Sequence, residues 1–107
     1  MKIEMTKEQY ISLKEFIEIN KLNIDIASVI VDEQLYNLGF SEKTPYVVEL
    51  IALEEVFEEA SEIAIGYEVD AFNTPNGEYP STDTESYKLY EKYGWIWNYL
   101  FYAEQIK

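Results

Sequence analysis

Glutamate side chains at helical spacing are the residues of this sequence best suited to chemistry or to binding. Five of them form one group, which we call the acidic ridge: Glu54, Glu55, Glu58, Glu59 and Glu62. Separations of three and four residues place side chains next to one another on one face of a helix. Such a row of carboxylates can bind a divalent cation through its oxygen atoms, or it can attract a basic protein.

The acidic ridge also has a plain structural interpretation, because solvated acidic helix faces are common. Two features favour a binding role. Like charges at positions i and i+4 repel each other, and no lysine lies between these glutamates to offset the repulsion. Successive i, i+4 carboxylates rise about 6 Å along a helix, close to the phosphate separation along one nucleic-acid strand. The ridge could therefore present a phosphate-like row to a basic groove.

The acidic residues are unevenly distributed along the chain. The formal net charge is −13, from 21 acidic residues and eight lysines, and the sequence has no arginine. Residues 44–86 contain eleven of the acidic residues and no lysine. Because phosphate binding requires a basic face and usually arginine, we expect no direct binding to nucleic acid. The expected partner is a basic protein.

The composition excludes many catalytic and metal sites. The sequence has no cysteine and no histidine, so it lacks thiolate ligands, disulfides and an imidazole base. We therefore predict no catalytic residue, no metal site and no cofactor. No window has the apolar length of a membrane span, and residues 1–5 lack a signal-peptide pattern, which predicts a cytoplasmic protein that does not bind membranes.

The first predicted helix begins after Thr6 and ends near Asn20, and its apolar residues, Phe16 among them, recur at helical spacing. The Thr6 hydroxyl can cap the first turn while the Gln9 side chain reaches back, as in a capping box. A second helix is predicted from Asp25 to about Gly39, although the β-branched residues of 24–31 would also suit a strand.

The third predicted helix begins at Thr44 as N-cap with Pro45 in the first turn, and it ends at Gly66. Glu49 projects at the edge of its apolar face, where we expect it to pair with a lysine from another segment or to rotate outward. The apolar face predicted for this helix consists of Tyr46, Leu50, Leu53, Phe57, Ala60 and Ala64.

Residues 67–81 are predicted to form a long loop or a short hairpin, with a turn signal at 73–77. Long loops in compact domains are often functional. We therefore add Asp70, Glu78 and Tyr79 to the acidic ridge as predicted partner-binding residues.

The C-terminal segment is aromatic. It opens with a second capping box from Thr82 to Glu85, and Gly94 can divide it into two helices, although residues 95–102 would also suit a strand. Half of the residues in 87–102 are aromatic, and most should pack in the core. Exposed rings could instead anchor a partner, and the candidates are Tyr79, Tyr99 and Tyr102.

An alternative function follows from two short motifs. The first is Glu54-Glu55-x-x-Glu58-Glu59, and the second runs from Glu91 to Trp95. The first resembles the acidic motif of the all-α nucleotide pyrophosphohydrolases of the MazG type, and the other resembles an altered form of their second motif. The resemblance implies metal-dependent nucleotide hydrolysis. That family has an aspartate where Trp95 stands, so the implied enzyme would be degenerate or inactive.

The sequence thus predicts a single acidic helical domain over residues 1–107. Its expected class is mainly α, a small bundle of about four helices with the 67–81 loop, and the alternative is α+β with a small antiparallel sheet. The expected function is an inhibitor or antagonist that docks its negative surface on a basic nucleic-acid-handling protein. Phage anti-restriction and anti-CRISPR DNA mimics and nuclease-immunity proteins share this charge character. A structural subunit of an assembly is a further alternative.

Overall fold

A computed structural model of the chain describes residues 1–31, 46–74, 77–79 and 81–105, with side chains described up to residue 100. The chain divides into two compact units, Met1–Val56 and Phe57–Lys107. The single domain predicted over residues 1–107 stays a prediction. The described elements, in chain order, are β1 (Lys2–Met5), α1 (Lys7–Ile19), β2 (Asp25–Val31), β3 (Tyr46–Ile51), α2 (Glu54–Phe72), α3 (Glu85–Tyr93) and α4 (Trp95–Gln105).

Helix α1 has the ends that the sequence predicts. The backbone N–H of Gln9 donates to Thr6 Oγ1 at 3.1 Å, and the Thr6 N–H donates to Gln9 Oε1 at 3.0 Å. These two bonds complete the capping box and satisfy two free amides of the first turn. The helix ends at Asn20, its C-cap, and Lys21 follows in the left-handed region with φ of 51°.

The three strands form an antiparallel sheet in the order β1-β3-β2. The register pairs Ile3 of β1 and Val29 of β2 with Val48 of β3. Residues of β1 alternate between exposed and buried, as expected for a strand with one face on the core, and α1 contacts β3. The buried apolar side chains of the first unit are Ile3, Met5, Leu13, Phe16, Leu22, Ile24, Val48 and Leu50.

The helix predicted from Asp25 is wrong over residues 25–31, which form β2. Four of these seven residues are β-branched, and branching at Cβ favours an extended backbone. Pairing with β3 then satisfies the backbone of one edge of β2. The predicted end of this helix at Gly39 lies outside the described residues.

The start of the third predicted helix is also wrong, because residues 46–51 form β3. β3 lies between β1 and β2, so its backbone is paired on both sides, and that tertiary pairing outweighs the local helical spacing. The predicted cap at Thr44 and Pro45 lies outside the described residues. The predicted pairing of Glu49 is confirmed, since its carboxylate lies 3.9 Å from Lys2 Nζ, although so exposed an ion pair contributes little stability.

Helix α2 continues past Gly66, where we predicted its end, and reaches Phe72. A glycine inside a helix costs only about 1 kcal/mol relative to alanine. Aromatic packing beyond it offsets that cost. The ring of Tyr67 lies 6.0 Å from that of Tyr93, and the ring of Phe72 lies 5.0 Å from that of Tyr90.

The predicted loop is therefore wrong over residues 67–72, which belong to α2. Beyond the helix, the Thr74 hydroxyl donates to the Glu78 carbonyl and Gly77 adopts a φ of 70°. That φ lies in the left-handed region, which glycine occupies without strain. Residues 75, 76 and 80 lie outside the described residues.

Gly94 separates α3 from α4, as predicted, and the strand alternative for residues 95–102 is wrong. A Cβ at position 94 would lie 2.5 Å from the Tyr90 carbonyl oxygen and 2.7 Å from Tyr90 Cδ1. No larger residue fits there without a shift of this backbone. The buried apolar side chains of the second unit are Phe57, Ala60, Ala64, Ala71, Tyr93, Ile96 and Leu100.

The sequence predicts Thr82 as the N-cap of α3, but the N-cap is Thr84. The Tyr87 N–H donates to Thr84 Oγ1 at 3.2 Å. We expect Thr84→Ala to lower the free energy of unfolding by about 1 kcal/mol, since it leaves an amide of the first turn without its partner. Thr82→Ala should change it by less than about 0.5 kcal/mol. Urea denaturation of both variants checks this expectation. Equal losses, or a larger loss for Thr82→Ala, would contradict the observed cap.

The predicted class is confirmed. The described residues are mainly helical, and the small antiparallel sheet is the one that the α+β alternative requires. Among these residues, no helix is both long enough and apolar enough to cross a membrane.

Candidate protein-interaction surface

All five residues of the acidic ridge lie in the first half of α2, and all five side chains are exposed. The side chains that this helix buries project from its opposite side, and they are Phe57, Ala60, Ala64 and Ala71. The sequence-predicted face of the third helix is therefore correct for this half, although the helix begins at Glu54 and not at Pro45. The ridge is a continuous row of carboxylates open to solvent.

The ridge has no compensating cation within the described part of the chain. Among the described residues, an ion pair joins Lys2 to Glu49, outside the ridge. Glu54 and Glu55 lie in the first turn of α2, where the positive end of the helix dipole stabilises acidic side chains. Glu58, Glu59 and Glu62 lie beyond that turn, so the dipole gives no stability reason for these three charges.

The other predicted partner-binding residues are also exposed. Asp70 lies on α2 two turns beyond the ridge, whereas Glu78 and Tyr79 follow that helix. Tyr79 is 98% exposed, which leaves its whole ring available. Among the described residues, no hydrogen bond or ring contact joins these three side chains to the ridge. The structure thus brings the five ridge glutamates together and leaves Asp70, Glu78 and Tyr79 as separate exposed positions.

An apolar stripe on α2 was missed by the sequence reasoning. Ile65, Val69 and Phe72 are 39%, 59% and 49% exposed, and their spacing of four and three residues continues the row that Glu58 and Glu62 begin. We call these three residues the apolar stripe. Its signal was present in the sequence as the i, i+4, i+7 pattern. The predicted end of the helix at Gly66 lies between Ile65 and the other two residues of the stripe, and it hides their common spacing.

Most of the described aromatic side chains are buried or partly buried, as the sequence predicts. Tyr93 is buried, and Tyr67, Tyr87 and Tyr90 are partly buried. Of the remaining anchor candidates, Tyr99 is partly buried with its ring 5.0 Å from that of Trp95. The side chain of Tyr102 lies outside the described residues.

The residues of the nucleotide-pyrophosphohydrolase resemblance lie on three helices, because Trp95 at the end of the second motif begins α4. Its first motif lies at the start of α2, and Glu91 lies on α3. The Trp95 indole N–H, at the position where that family has an aspartate, donates to the Lys92 carbonyl at 3.1 Å. Within the part of the chain that the structure describes, no group of three or more carboxylates is arranged to hold a metal ion.

Comparison with known proteins identifies no relative. No family model matches the chain, and searches of curated proteins and of solved structures found no significant match.

Proposed function

We propose that this protein is an antagonist that docks the acidic ridge on the basic, nucleic-acid-binding face of another protein. The observation that carries this proposal is the row of five exposed carboxylates on one helix, with no cation paired to them among the described residues. A row of like charges is retained at a small cost in stability. Binding of a positively charged partner gives that row a role.

The geometry of a helix suits this partner. Carboxylates at i and i+4 are about 6 Å apart, so the ridge presents a regular row of negative charges, as the phosphates of one nucleic-acid strand do. A groove that binds phosphates with lysine and arginine would thus meet a regular row of charges of the same sign. The large negative net charge adds long-range attraction and speeds the encounter.

The apolar stripe adds apolar contact area, which the charged ridge does not provide. Electrostatic complementarity mainly sets association rate and specificity, whereas buried apolar and aromatic side chains provide most hot-spot energy. Val69 and Phe72 lie on the same helix as the ridge and remain about half exposed. A partner covering α2 along its length would contact carboxylates first and apolar side chains beyond them.

The proposal is tested by capture of a partner with three forms of the protein. The ridge variant replaces Glu54, Glu55, Glu58, Glu59 and Glu62 with glutamine. The control variant removes the same number of exposed negative charges elsewhere, by Glu4→Gln, Glu8→Gln, Glu18→Gln, Asp25→Asn and Asp83→Asn. Wild type and the control variant should retain a basic nucleic-acid-binding protein, and the ridge variant should lose it. Equal retention by all three forms would contradict the proposal.

We also expect no hydrolysis of nucleoside triphosphates with Mg²⁺ or Mn²⁺, because the chain has no histidine and carries tryptophan at the position of a family metal ligand. Release of pyrophosphate or phosphate is the measurement. Metal-dependent turnover that disappears in Glu55→Gln or Glu58→Gln would instead support the nucleotide-hydrolase alternative.

A further inference from the structure

A cavity of about 500 Å³ opens within the second unit, and its wall has an unusual composition. The described residues that line it are Glu68, Tyr87, Tyr90, Glu91, Trp95 and Asn98. Three are aromatic, two are carboxylates, and none of them is basic. The cavity is open to solvent, so a small group would bind at the surface of this unit and not in an enclosed pocket.

Helical spacing explains why these residues meet. Tyr87, Tyr90 and Glu91 are separated by three and four residues on α3, so they share one face. Trp95 and Asn98 occupy the first turn of α4 directly after Gly94. Gly94 is required for this arrangement, since a Cβ there would meet both the carbonyl and the ring of Tyr90.

The aromatic walls are held in place without a ligand. The Tyr90 ring packs edge-on against Phe72 with centroids 5.0 Å apart, and the Tyr87 ring lies 5.8 Å from Tyr90. Trp95 packs against Tyr99, and its indole N–H is bonded to the Lys92 carbonyl. A site whose side chains are already fixed loses little entropy when it binds.

The carboxylates complete the site. Glu68 Oε2 accepts a hydrogen bond of 3.0 Å from the indole N–H of Trp97, which fixes this side chain on the wall of the cavity. Glu91 is exposed at the same cavity. Negative charge beside aromatic rings repels anions and attracts cations, and the π faces of tyrosine and tryptophan bind ammonium groups directly.

We propose that this cavity binds an organic ammonium group, with Tyr87, Tyr90 and Trp95 contacting its alkyl surface and Glu68 and Glu91 neutralising its charge. The inference rests on the cavity itself and not on the acidic ridge. The ammonium group has two possible sources. It is either a lysine side chain of the proposed basic partner or a free small amine.

Choline is the probe, with 3,3-dimethylbutan-1-ol, which has the same shape without the charge, as its matched control. The readout is the indole N–H resonances of Trp95 and Trp97, the two tryptophans of the chain, at constant ionic strength. Choline should give saturable shifts, and the neutral alcohol should bind at least about tenfold more weakly. Equal binding of the two compounds, or no saturable shift with choline, would overturn the proposal.

Two double variants distinguish binding in the cavity from an effect of net charge. Glu68→Gln with Glu91→Gln should weaken choline binding by at least about tenfold, while an amide oxygen at position 68 can still accept the Trp97 hydrogen bond. Glu58→Gln with Glu62→Gln removes the same charge from the ridge and should leave choline binding unchanged. Glu91→Gln alone, at an exposed position, serves if the double variant is unstable. Wild-type affinity in the cavity variants would also overturn the proposal.

The source of the ammonium group is decided by competition. A captured partner should displace choline if a lysine side chain occupies the cavity, and choline should stay bound in the complex if the ligand is a free amine. If choline does not bind but capture of the partner still depends on the ridge, only this inference is overturned. If choline binds but capture of the partner does not depend on the ridge, only the proposed function is overturned.

Discussion

Replacing the five glutamates of the acidic ridge with glutamine should slow association with the basic partner by about one to two orders of magnitude at low salt. The reason is that the ridge concentrates exposed negative charge on one helix, so it steers the encounter toward that face. At 1 M salt the Debye length shrinks to about 3 Å, and the difference between wild type and the ridge variant should nearly disappear. Stopped-flow association at several salt concentrations measures the effect.

The control variant, with five exposed charges removed elsewhere, should associate at nearly the wild-type rate. The ridge variant should keep its fold and should change the free energy of unfolding by less than about 1 kcal/mol. Relief of i, i+4 repulsion and loss of the favourable dipole interaction of Glu54 and Glu55 have opposite signs and similar sizes. An equal slowing in both variants would show that only net charge matters.

Phe16→Ala should give the largest loss of stability in the first unit, about 3–5 kcal/mol in the free energy of unfolding. Phe16 is 0% exposed, on a helix that contacts β3, so alanine leaves a cavity that neighbouring side chains cannot fill. Ile19→Ala on the same helix is the matched control. Ile19 is 61% exposed, so its loss should cost less than about 1 kcal/mol.

Urea denaturation followed by circular dichroism measures both variants. Similar losses for Phe16→Ala and Ile19→Ala would contradict the buried position of Phe16. The comparison also tests the sequence prediction for α1, whose apolar spacing placed Phe16 on the inner face of the helix.

The parts of the fold that the sequence predicted are those in which local signals agree. In α1, the Thr6 and Gln9 capping box and the apolar spacing indicate the same helix, and both of its ends were correct. Gly94 likewise divides the C-terminal segment at the predicted position. The ridge face was predicted because periodicity alone decides which side of a helix a residue occupies.

The parts that failed depend on distant partners. Residues 46–51 carry a helical spacing, but β1 and β2 pair with both edges of this segment and make it a strand. The end at Gly66 was wrong because Tyr67 and Phe72 pack on rings that lie 26 and 18 residues further along the chain. The aromatic cavity was missed for the same reason, since Glu68 of α2 is far in sequence from the residues of α3 and α4 that line the cavity with it.

The most direct test of the proposed function is competition between this protein and nucleic acid for the captured partner. The measurement is the fraction of labelled nucleic acid that the partner binds as wild type, ridge variant or control variant is added. We predict that wild type and the control variant displace the nucleic acid, that the ridge variant does not, and that excess nucleic acid reverses the displacement. Simultaneous binding of both molecules by the partner, or displacement by the ridge variant at the wild-type concentration, would contradict docking of the acidic ridge on the nucleic-acid-binding face.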